Sequence, residues 1–234
     1  KDLPEKVVKE AVFGSQFHTI CSGGAYLNPD YIELFERFGI QILQGYGMTE
    51  CSPVISTTVA WNVKKNSVGQ LLPNCEAKTV DGELWVRGSS VMQGYYKMPE
   101  ETKTALKDGW LCTGDLGYVD EERFIYLTGR KKNLIITKNG ENVSPEELEN
   151  KLSSSRLVQE VLVREAKGVI EAEIYPDEEY AKKQGLEREE EVRVELQKLI
   201  DEYNQGAPAY KKIYSLIIRE KEFEKTASRK IKRY

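Results

Sequence analysis

Hydrophobic residues near the start of the chain fall into two short runs separated by an amphipathic stretch. Residues 18–24 predict a strand that ends in a Gly-Gly turn, and "IQILQ" predicts a second buried strand. Between them "NPDYIELFERFG" predicts a helix, because Asn28 suits the N-cap, Pro29 suits the first helical position and Gly39 follows the end. "GYGMTECSP", after the second strand, predicts a loop. Strand, helix and strand in this order indicate one edge of an α/β sheet.

The pattern changes twice along the rest of the chain. From about residue 67, "GQLLPNCEAKTV", "GELWVRG" and "RFIYLTG" predict short strands separated by turn residues. After Gly129, "SPEELENKL" predicts a helix with a capping box, in which Ser144 is the N-cap and Glu147 its partner. Two strands, "VQEVLVRE" and "GVIEAEIYP", precede an amphipathic helix that ends at Gly206 and a last strand, "YSLIIRE".

These patterns predict a mixed α/β and α+β protein in three parts. Residues 1–66 form an incomplete α/β portion, residues 67–128 a β-rich subdomain, and residues 129–234 a small α+β domain. The first portion is short for a free-standing domain.

Composition excludes several classes of protein. The chain has 234 residues, of which 40% are hydrophobic and 31% charged, with a formal net charge of -4. An acidic chain gives no overall sign of binding nucleic acid, and we predict no such partner. No apolar run is long enough to cross a bilayer, and residues 1–25 lack a signal-peptide pattern.

Cysteine and histidine usage argues against a structural zinc site. The four cysteines form no CxxC pair, and the single histidine, His18, is predicted to be structural. We therefore expect buried, reduced thiols in a cytoplasmic protein. The cysteines are Cys21, Cys51, Cys75 and Cys112.

Five breaker-rich stretches are predicted where strands end, and they carry side chains suited to a nucleotide: "SGGA", "QGYGMTE", "GWLCTGDLG", "LTGRKKN" and "KNGENVSP". Tyr46 offers a flat face for a base, while Thr49 and Glu50 offer a hydroxyl for phosphate and a carboxylate of the kind that Mg²⁺ prefers. Asp115 is an acceptor for ribose hydroxyls and Arg130 a fork of donors. Each residue alone is weak evidence of function, but together they are compatible with a nucleotide site.

The basic C-terminal stretch "EFEKTASRKIKRY" admits three interpretations. It is a solvated tail, a patch for nucleic acid, or the carrier of one lysine that acts in a site. Charge density alone leaves all three open.

Four ordered motifs resemble one enzyme family. "QGYGMTE", "GWLCTGDLGYVDEERFIYLTGRKKNLI", "NGENVSPEELE" and "KTASRKIKR" resemble the adenylate-forming synthetases, the superfamily of acyl-CoA ligases and luciferase. "VMQGYYKMPEETK" and "NGENVSP" look most like the bacterial long-chain fatty-acid–CoA ligase branch. The resemblance implies a reaction in which a carboxylate attacks the α-phosphate of ATP and a thiol then displaces AMP. The implied cofactors are ATP or AMP, Mg²⁺ and CoA as co-substrate, and the implied substrate is a fatty acid.

The resemblance also implies roles for residues of the nucleotide site. Thr49 would touch the α-phosphate, Glu50 would bind Mg²⁺, and Asp115 and Arg130 would hold the ribose. The residues that would line the adenine or stack on it are Gly23, Gly24, Ala25, Gly45, Tyr46 and Gly47.

Three further roles follow for the C-terminal domain. Lys132 matches the hinge about which that domain turns, and Gly140 matches the pantetheine tunnel. Lys230 matches the lysine that bridges the carboxylate substrate and the α-phosphate, where it would stabilise developing charge. The other basic residues nearby are expected to be solvated or to pair with the opposing domain. Arg229 stands where many relatives have glycine.

The family's Ser/Thr/Gly-rich phosphate loop is not found in the sequence, nor is a GxxxxGK[ST] loop. We therefore expect the C-terminal portion of a longer synthetase, with the missing N-terminal part as its partner and little ligase activity alone. Two alternatives stay open: a ligase that loads acyl carrier protein, and a non-catalytic module that keeps the fold. A water-insoluble substrate would also make peripheral membrane association unsurprising.

Overall fold

The chain folds into two packing units. The computed structural model describes residues 4–227 and 229–233, and the boundary between the units falls between Lys131 and Lys132. Both units combine helices with sheets, which confirms the predicted mixed fold class. The three-part division at residues 66/67 and 128/129 stays a prediction.

The first unit begins with a four-stranded sheet in the order β1-β2-β3-β4. The first two strands are parallel and the other pairs antiparallel. Helix α2 is confirmed with its predicted punctuation, because the Asn28 side chain accepts a hydrogen bond from the Asp30 N–H at 2.9 Å. The elements are α1 Glu5–Phe13, β1 Thr19–Gly23, α2 Pro29–Arg37, β2 Gln41–Gly47, β3 Val54–Thr57 and β4 Gln70–Leu71.

A five-stranded antiparallel sheet completes this unit. Its order is β5-β6-β8-β7, with β9 paired to β8. A core that includes Tyr46, Leu84 and Ile125 joins residues of the two sheets. The elements are β5 Cys75–Val80, β6 Glu83–Gly88, α3 Pro99–Ala105, β7 Leu106–Lys107, β8 Trp110–Val119 and β9 Ile125–Arg130.

Two sequence segments that predicted breaks are strands instead. Strand β2 continues through Tyr46 and Gly47, and β8 runs unbroken from Trp110 to Val119, which includes "WLCTGDLG". The glycines in β8 mark irregular pairing: Gly114 has a φ of 71°, and the register shifts between Leu116 and Gly117. A glycine inside a strand is typical of a bulge or a close backbone approach, and the prediction of loops here was wrong for that reason.

The second unit packs helices onto a three-stranded sheet of order β12-β13-β14. The first pair is antiparallel and the second parallel. Its core includes Leu148, Ala172, Ile174, Leu196 and Ile200. The elements are β10 Ile135–Ile136, β11 Asn142–Val143, α4 Pro145–Leu152, β12 Val158–Ala166, β13 Val169–Pro176, α5 Glu178–Lys183, α6 Glu189–Gly206 and β14 Ile213–Ile218.

The predicted capping box of α4 does not form. Ser144 occupies the N-cap position, but its side chain makes no capping hydrogen bond. The Ser144 hydroxyl donates instead to Glu146 Oε2 at 3.0 Å. The Ser144 hydroxyl therefore bonds to the Glu146 carboxylate instead of to the backbone of the first helical turn, as the capping-box pattern had predicted.

Burial corrects one expectation about the cysteines. Cys51 and Cys75 are buried as predicted, whereas Cys112 is half-buried and Cys21 is exposed. Among the helices of residues 4–227 and 229–233, none combines the length and apolar character needed to cross a membrane.

The described residues 224–227 and 229–232 pair with each other as the two sides of a C-terminal hairpin. The Lys232 N–H donates to the Glu224 carbonyl at 2.8 Å, and the Thr226 N–H donates to the Lys230 carbonyl at 2.8 Å. Arg229 has a φ of 59°, in the left-handed region that favours glycine. A glycine at this position would adopt the same conformation without a steric cost.

Replacing Gly47 by alanine tests the close approach of β2 to the chain that follows it. A Cβ at Gly47 would lie 1.9 Å from the Pro53 carbonyl oxygen, whereas a Cβ at Gly45 would meet nothing closer than 3.7 Å. We expect Gly47→Ala to lower the free energy of unfolding by about 1–3 kcal/mol or more, because backbone must move. Gly45→Ala is the matched control in urea denaturation, and equal losses would contradict this account.

Replacing Arg229 by glycine tests the strain in the C-terminal hairpin. The left-handed conformation costs an L-residue roughly 1–2 kcal/mol. Glycine avoids this cost, but it loses more conformational entropy on folding, which offsets part of the stabilisation. We expect Arg229→Gly to raise the free energy of unfolding of the second unit by up to about 1 kcal/mol. Arg229→Ala keeps the Cβ and should bring no gain, so an equal effect of both substitutions on thermal unfolding would refute the assignment.

Candidate functional site

A carboxylate links the two sheets of the first unit. Asp115 in β8 lies opposite Arg130 in β9, and Arg130 Nε is 2.8 Å from Asp115 Oδ1. The hydroxyl of Tyr46, in β2 of the other sheet, donates to Asp115 Oδ2 at 2.7 Å. These three residues, called here the Asp115 array, were predicted to belong to one nucleotide site, and Tyr46 and Arg130 both contact Asp115. With one oxygen held from each sheet, the plane of the carboxylate is fixed.

The ring of Tyr46 belongs to the core rather than to an open surface. It is only 8% exposed. Burial, and then the negative charge of Asp115, raises the pKa of the Tyr46 phenol far above its usual value. The phenol therefore stays protonated and remains a hydrogen-bond donor. The contacts of Tyr46 are those of a residue that orients Asp115, and its stacking on adenine stays a prediction.

The array opens toward solvent on the side of Arg130. The Arg130 side chain is 44% exposed, whereas that of Asp115 is 8% exposed. A guanidinium fork that is partly held by a carboxylate still presents donors in a fixed plane. This arrangement suits a ligand that carries hydroxyl or phosphate oxygens.

The glycine segment after β1 lies at the same sheet edge as the end of β2. Gly23 pairs with Gly45 in the parallel register, and a Cβ on Gly23 would lie 2.9 Å from the Gly45 carbonyl oxygen. Gly24 has a φ of 79°, and Ala25 is exposed. Parallel strands that end together create the edge at which α/β proteins bind ligands.

Thr49 and Glu50 follow β2 in a short 3₁₀ turn, Thr49–Cys51. Thr49 is exposed and Glu50 half-buried. Glu50 Oε1 accepts a hydrogen bond from the Tyr95 hydroxyl at 2.8 Å, and the Glu50 carbonyl accepts one from the Met92 N–H at 2.7 Å. The turn is thus fastened to a segment about forty residues later in the chain.

Glu50 fits Mg²⁺ as a single protein ligand. Mg²⁺ is usually bound through one or two carboxylates together with water and substrate phosphates. Across the part of the chain that the structure describes, no group of three or more His, Cys, Asp or Glu side chains could hold a metal ion. The donor set therefore suits an ion that arrives with phosphate oxygens.

A second buried carboxylate supports the strand that carries Asp115. Glu83 in β6 accepts hydrogen bonds from the Gly114 N–H at 2.9 Å and from Lys131 Nζ at 2.9 Å. Burial raises the pKa of Glu83, but the bonds from Lys131 and Gly114 outweigh it and the pKa is lowered. Glu83 is therefore ionised at neutral pH and ties β8 to the last residue of the first unit.

The second unit carries the remaining predicted residues. Lys132 is exposed, in the 3₁₀ turn Lys131–Asn133 at the unit boundary. Gly140 lies in the turn between β10 and β11 with a φ of 81°, and its N–H donates to the Thr137 carbonyl at 2.9 Å. The roles of Lys132 as hinge and Gly140 as part of a tunnel stay predictions.

Lys230 is exposed on the C-terminal hairpin. Its N–H donates to Thr226 Oγ1 at 3.2 Å, so the hairpin fixes its backbone. The ion pairs recorded for the described part of this segment involve Lys225, Lys232 and Arg233, and none involves Lys230.

Two of the basic residues near Lys230 are not simply solvated, as had been expected. Lys225 pairs with Glu160, and Arg233 Nη1 donates to Glu149 Oε1 at 2.9 Å. Both acids are largely covered by their own unit, with side chains 10% and 12% exposed. Buried carboxylates need a cation or several donors. These cations therefore anchor the hairpin instead of offering a free basic patch.

Sequence reasoning missed the residues that hold the predicted ones. Tyr95, Glu83 and Glu149 contact Glu50, Gly114 and Arg233, which lie 45, 31 and 84 residues away in the chain. No local pattern marks such pairs, since only the folded backbone brings them together.

Comparison with known proteins gives two separate family matches. The model of the AMP-binding enzyme family matches residues 2–96, and that of the AMP-binding enzyme C-terminal domain matches residues 132–234. Together they cover most of the chain.

Curated relatives are acyl- and aryl-CoA ligases by name. Long-chain-fatty-acid–CoA ligase FadD15 of Mycobacterium bovis is 39% identical over 171 residues, which are 72% of this chain and 28% of the relative. The 2-succinylbenzoate–CoA ligase of Bacillus cytotoxicus is 37% identical over 68% of this chain and 35% of the relative. The chain thus spans about a third of the length of these relatives.

A solved structure shares the fold. o-Succinylbenzoate CoA synthetase from Bacillus subtilis, in complex with its acyl-adenylate intermediate, has a TM-score of 0.76 at 30% identity and covers 91% of this chain, which spans 44% of that one. The same enzyme in complex with ATP and a magnesium ion gives a TM-score of 0.73. By its two family matches, its relatives and its fold, the chain belongs to the adenylate-forming, AMP-binding enzymes.

Proposed function

We propose that this chain supplies the ribose-binding residues, a metal-binding carboxylate and the bridging lysine of an ATP-dependent acyl-CoA synthetase. The observation that carries the proposal is the Asp115 array, in which Tyr46 and Arg130 hold a carboxylate from two sides. A carboxylate accepts hydrogen bonds only, so it discriminates in favour of a ligand with adjacent hydroxyl donors. The ribose of a nucleotide has two such hydroxyls.

The chemistry assigned to the other residues is electrostatic. Glu50 and Thr49 would face the phosphates, where bound Mg²⁺ would neutralise charge on the leaving pyrophosphate. Lys230 would contact the attacking carboxylate and the α-phosphate, offsetting their repulsion and stabilising the charge that develops at phosphorus. Exposure of Lys230 on an anchored hairpin supports this role, because the ammonium group is available to a ligand.

The proposed carboxylate substrate is a long-chain fatty acid, and the proposed acceptor is CoA. Support comes from the 39% identity to a long-chain-fatty-acid–CoA ligase, although a 2-succinylbenzoate–CoA ligase is 37% identical. Transfer to acyl carrier protein is the alternative within the same chemistry. A cytoplasmic location with peripheral membrane contact would suit a substrate of this kind.

Substitution of Lys230 tests the adenylating role. In the full-length protein, Lys230→Ala should reduce ATP–pyrophosphate exchange by about 100-fold or more, the usual loss when one group that stabilises transition-state charge is removed. Exchange is measured across carboxylates from acetate to palmitate, and we expect the highest rate with long chains.

Lys232→Ala is the matched control, since Lys232 lies on the same hairpin and pairs with the exposed Glu224. It should keep nearly all of the exchange activity. Equal loss in both variants would mean that the hairpin, not the Lys230 ammonium group, is required. A wild-type protein that binds ATP but exchanges with no carboxylate would instead support the non-catalytic module.

A further inference from the structure

We propose that Tyr95 is a positioning residue for Glu50 and that its hydroxyl sets the affinity of the site for a divalent cation. The inference rests on the proposed function, which assigns Glu50 to Mg²⁺. It adds a residue from the segment before α3 to the metal site. The defining contact is the hydrogen bond from the Tyr95 hydroxyl to Glu50 Oε1 at 2.8 Å.

The backbone of Tyr95 is held independently of that contact. The Tyr95 N–H donates to Thr102 Oγ1 at 2.9 Å, and the Thr102 hydroxyl donates to the Met98 carbonyl at 2.7 Å. On the other side, the Met92 N–H donates to the Glu50 carbonyl at 2.7 Å. Two hydrogen bonds therefore join the Tyr95 segment to the Glu50 turn, one through the backbone and one through the phenol.

Tyr95 also borders open space next to the Asp115 array. Its side chain lines a cavity of about 770 Å³ whose wall includes Thr113 and Gly114, the two residues before Asp115. Tyr95 is 36% exposed. The Glu50–Tyr95 contact is therefore near a surface that small ligands can reach.

The hydrogen bond selects one arrangement of the Glu50 carboxylate. Because the phenol occupies Oε1, the Oε2 oxygen is left as the natural position for a monodentate metal ligand. A phenol keeps its proton at neutral pH, so the Tyr95 hydroxyl remains a donor to Glu50. Donors that orient metal-binding carboxylates typically change metal affinity by about 10- to 100-fold when they are removed.

Tyr95→Phe removes the hydroxyl and keeps the ring. In the full-length protein with α,β-methylene-ATP, we expect the dissociation constant for Mn²⁺, measured by electron paramagnetic resonance, to rise about tenfold or more. Tyr96→Phe is the control: Tyr96 is the next residue and is 85% exposed. It should change the constant by less than about twofold. An unchanged constant in folded Tyr95→Phe would overturn the inference.

Glu50→Gln separates this inference from the proposed function. If Glu50→Gln abolishes Mn²⁺ binding while Tyr95→Phe does not weaken it, Tyr95 has no positioning role and the metal assignment of Glu50 survives. If Glu50→Gln binds Mn²⁺ normally, both assignments fail.

Thr102→Val tests the position of Tyr95 in a second way, because it removes the acceptor of the Tyr95 N–H. We expect Thr102→Val to weaken Mn²⁺ binding as well, whereas Thr102→Ser keeps the hydroxyl and should bind Mn²⁺ normally. Normal Mn²⁺ binding by both single variants, Thr102→Val and Tyr95→Phe, would overturn the proposal.

Discussion

The first unit depends on how one desolvated carboxylate is satisfied. Asp115 is 6% exposed, and a buried carboxylate is costly unless donors or cations surround it. Tyr46 provides a donor from one sheet, and Arg130 provides a cation from the other. The contact that joins the sheets is therefore also the contact that aligns the proposed ribose-binding group. Stability and the proposed ligand recognition therefore depend on the same atoms.

In the second unit, ion pairs to largely buried carboxylates hold the hairpin that carries Lys230. The C-terminal hairpin is held by the Arg233–Glu149 and Lys225–Glu160 pairs, and Lys230 is exposed between these anchors. Anchoring the backbone on both sides limits the conformational freedom that Lys230 would lose on contacting the proposed ligand. The cost is visible at Arg229, whose left-handed φ of 59° is unusual for a residue with a side chain.

Local sequence patterns predicted the elements whose boundaries are set locally. Asn28, Pro29 and Gly39 delimited α2 because capping and backbone freedom are properties of single residues. The same reasoning failed for β8, where Gly114 and Gly117 permit a bulge and a close approach inside a strand.

Residue types and family motifs predicted most residues of the candidate site, but they did not predict how those residues contact one another. Tyr46 was predicted as a stacking surface, and its hydroxyl contact with Asp115 could not be foreseen from positions 69 apart. The role of Tyr95 could not be predicted for the same reason, since its partner Glu50 lies 45 positions away in the chain. Long-range pairs of this kind depend on tertiary packing, which one sequence does not display.

Recognition of ribose hydroxyls by Asp115, as proposed above, can be measured with a binding cycle. AMP and 2′,3′-dideoxy-AMP would be titrated calorimetrically into wild-type protein and Asp115→Asn. We expect the substitution to weaken AMP binding about tenfold or more, equivalent to about 1.4 kcal/mol, and to leave binding of the dideoxy compound nearly unchanged. The difference between the two ligands isolates the contact between the Asp115 carboxylate and the ribose hydroxyls. Equal weakening of both ligands would contradict the claim.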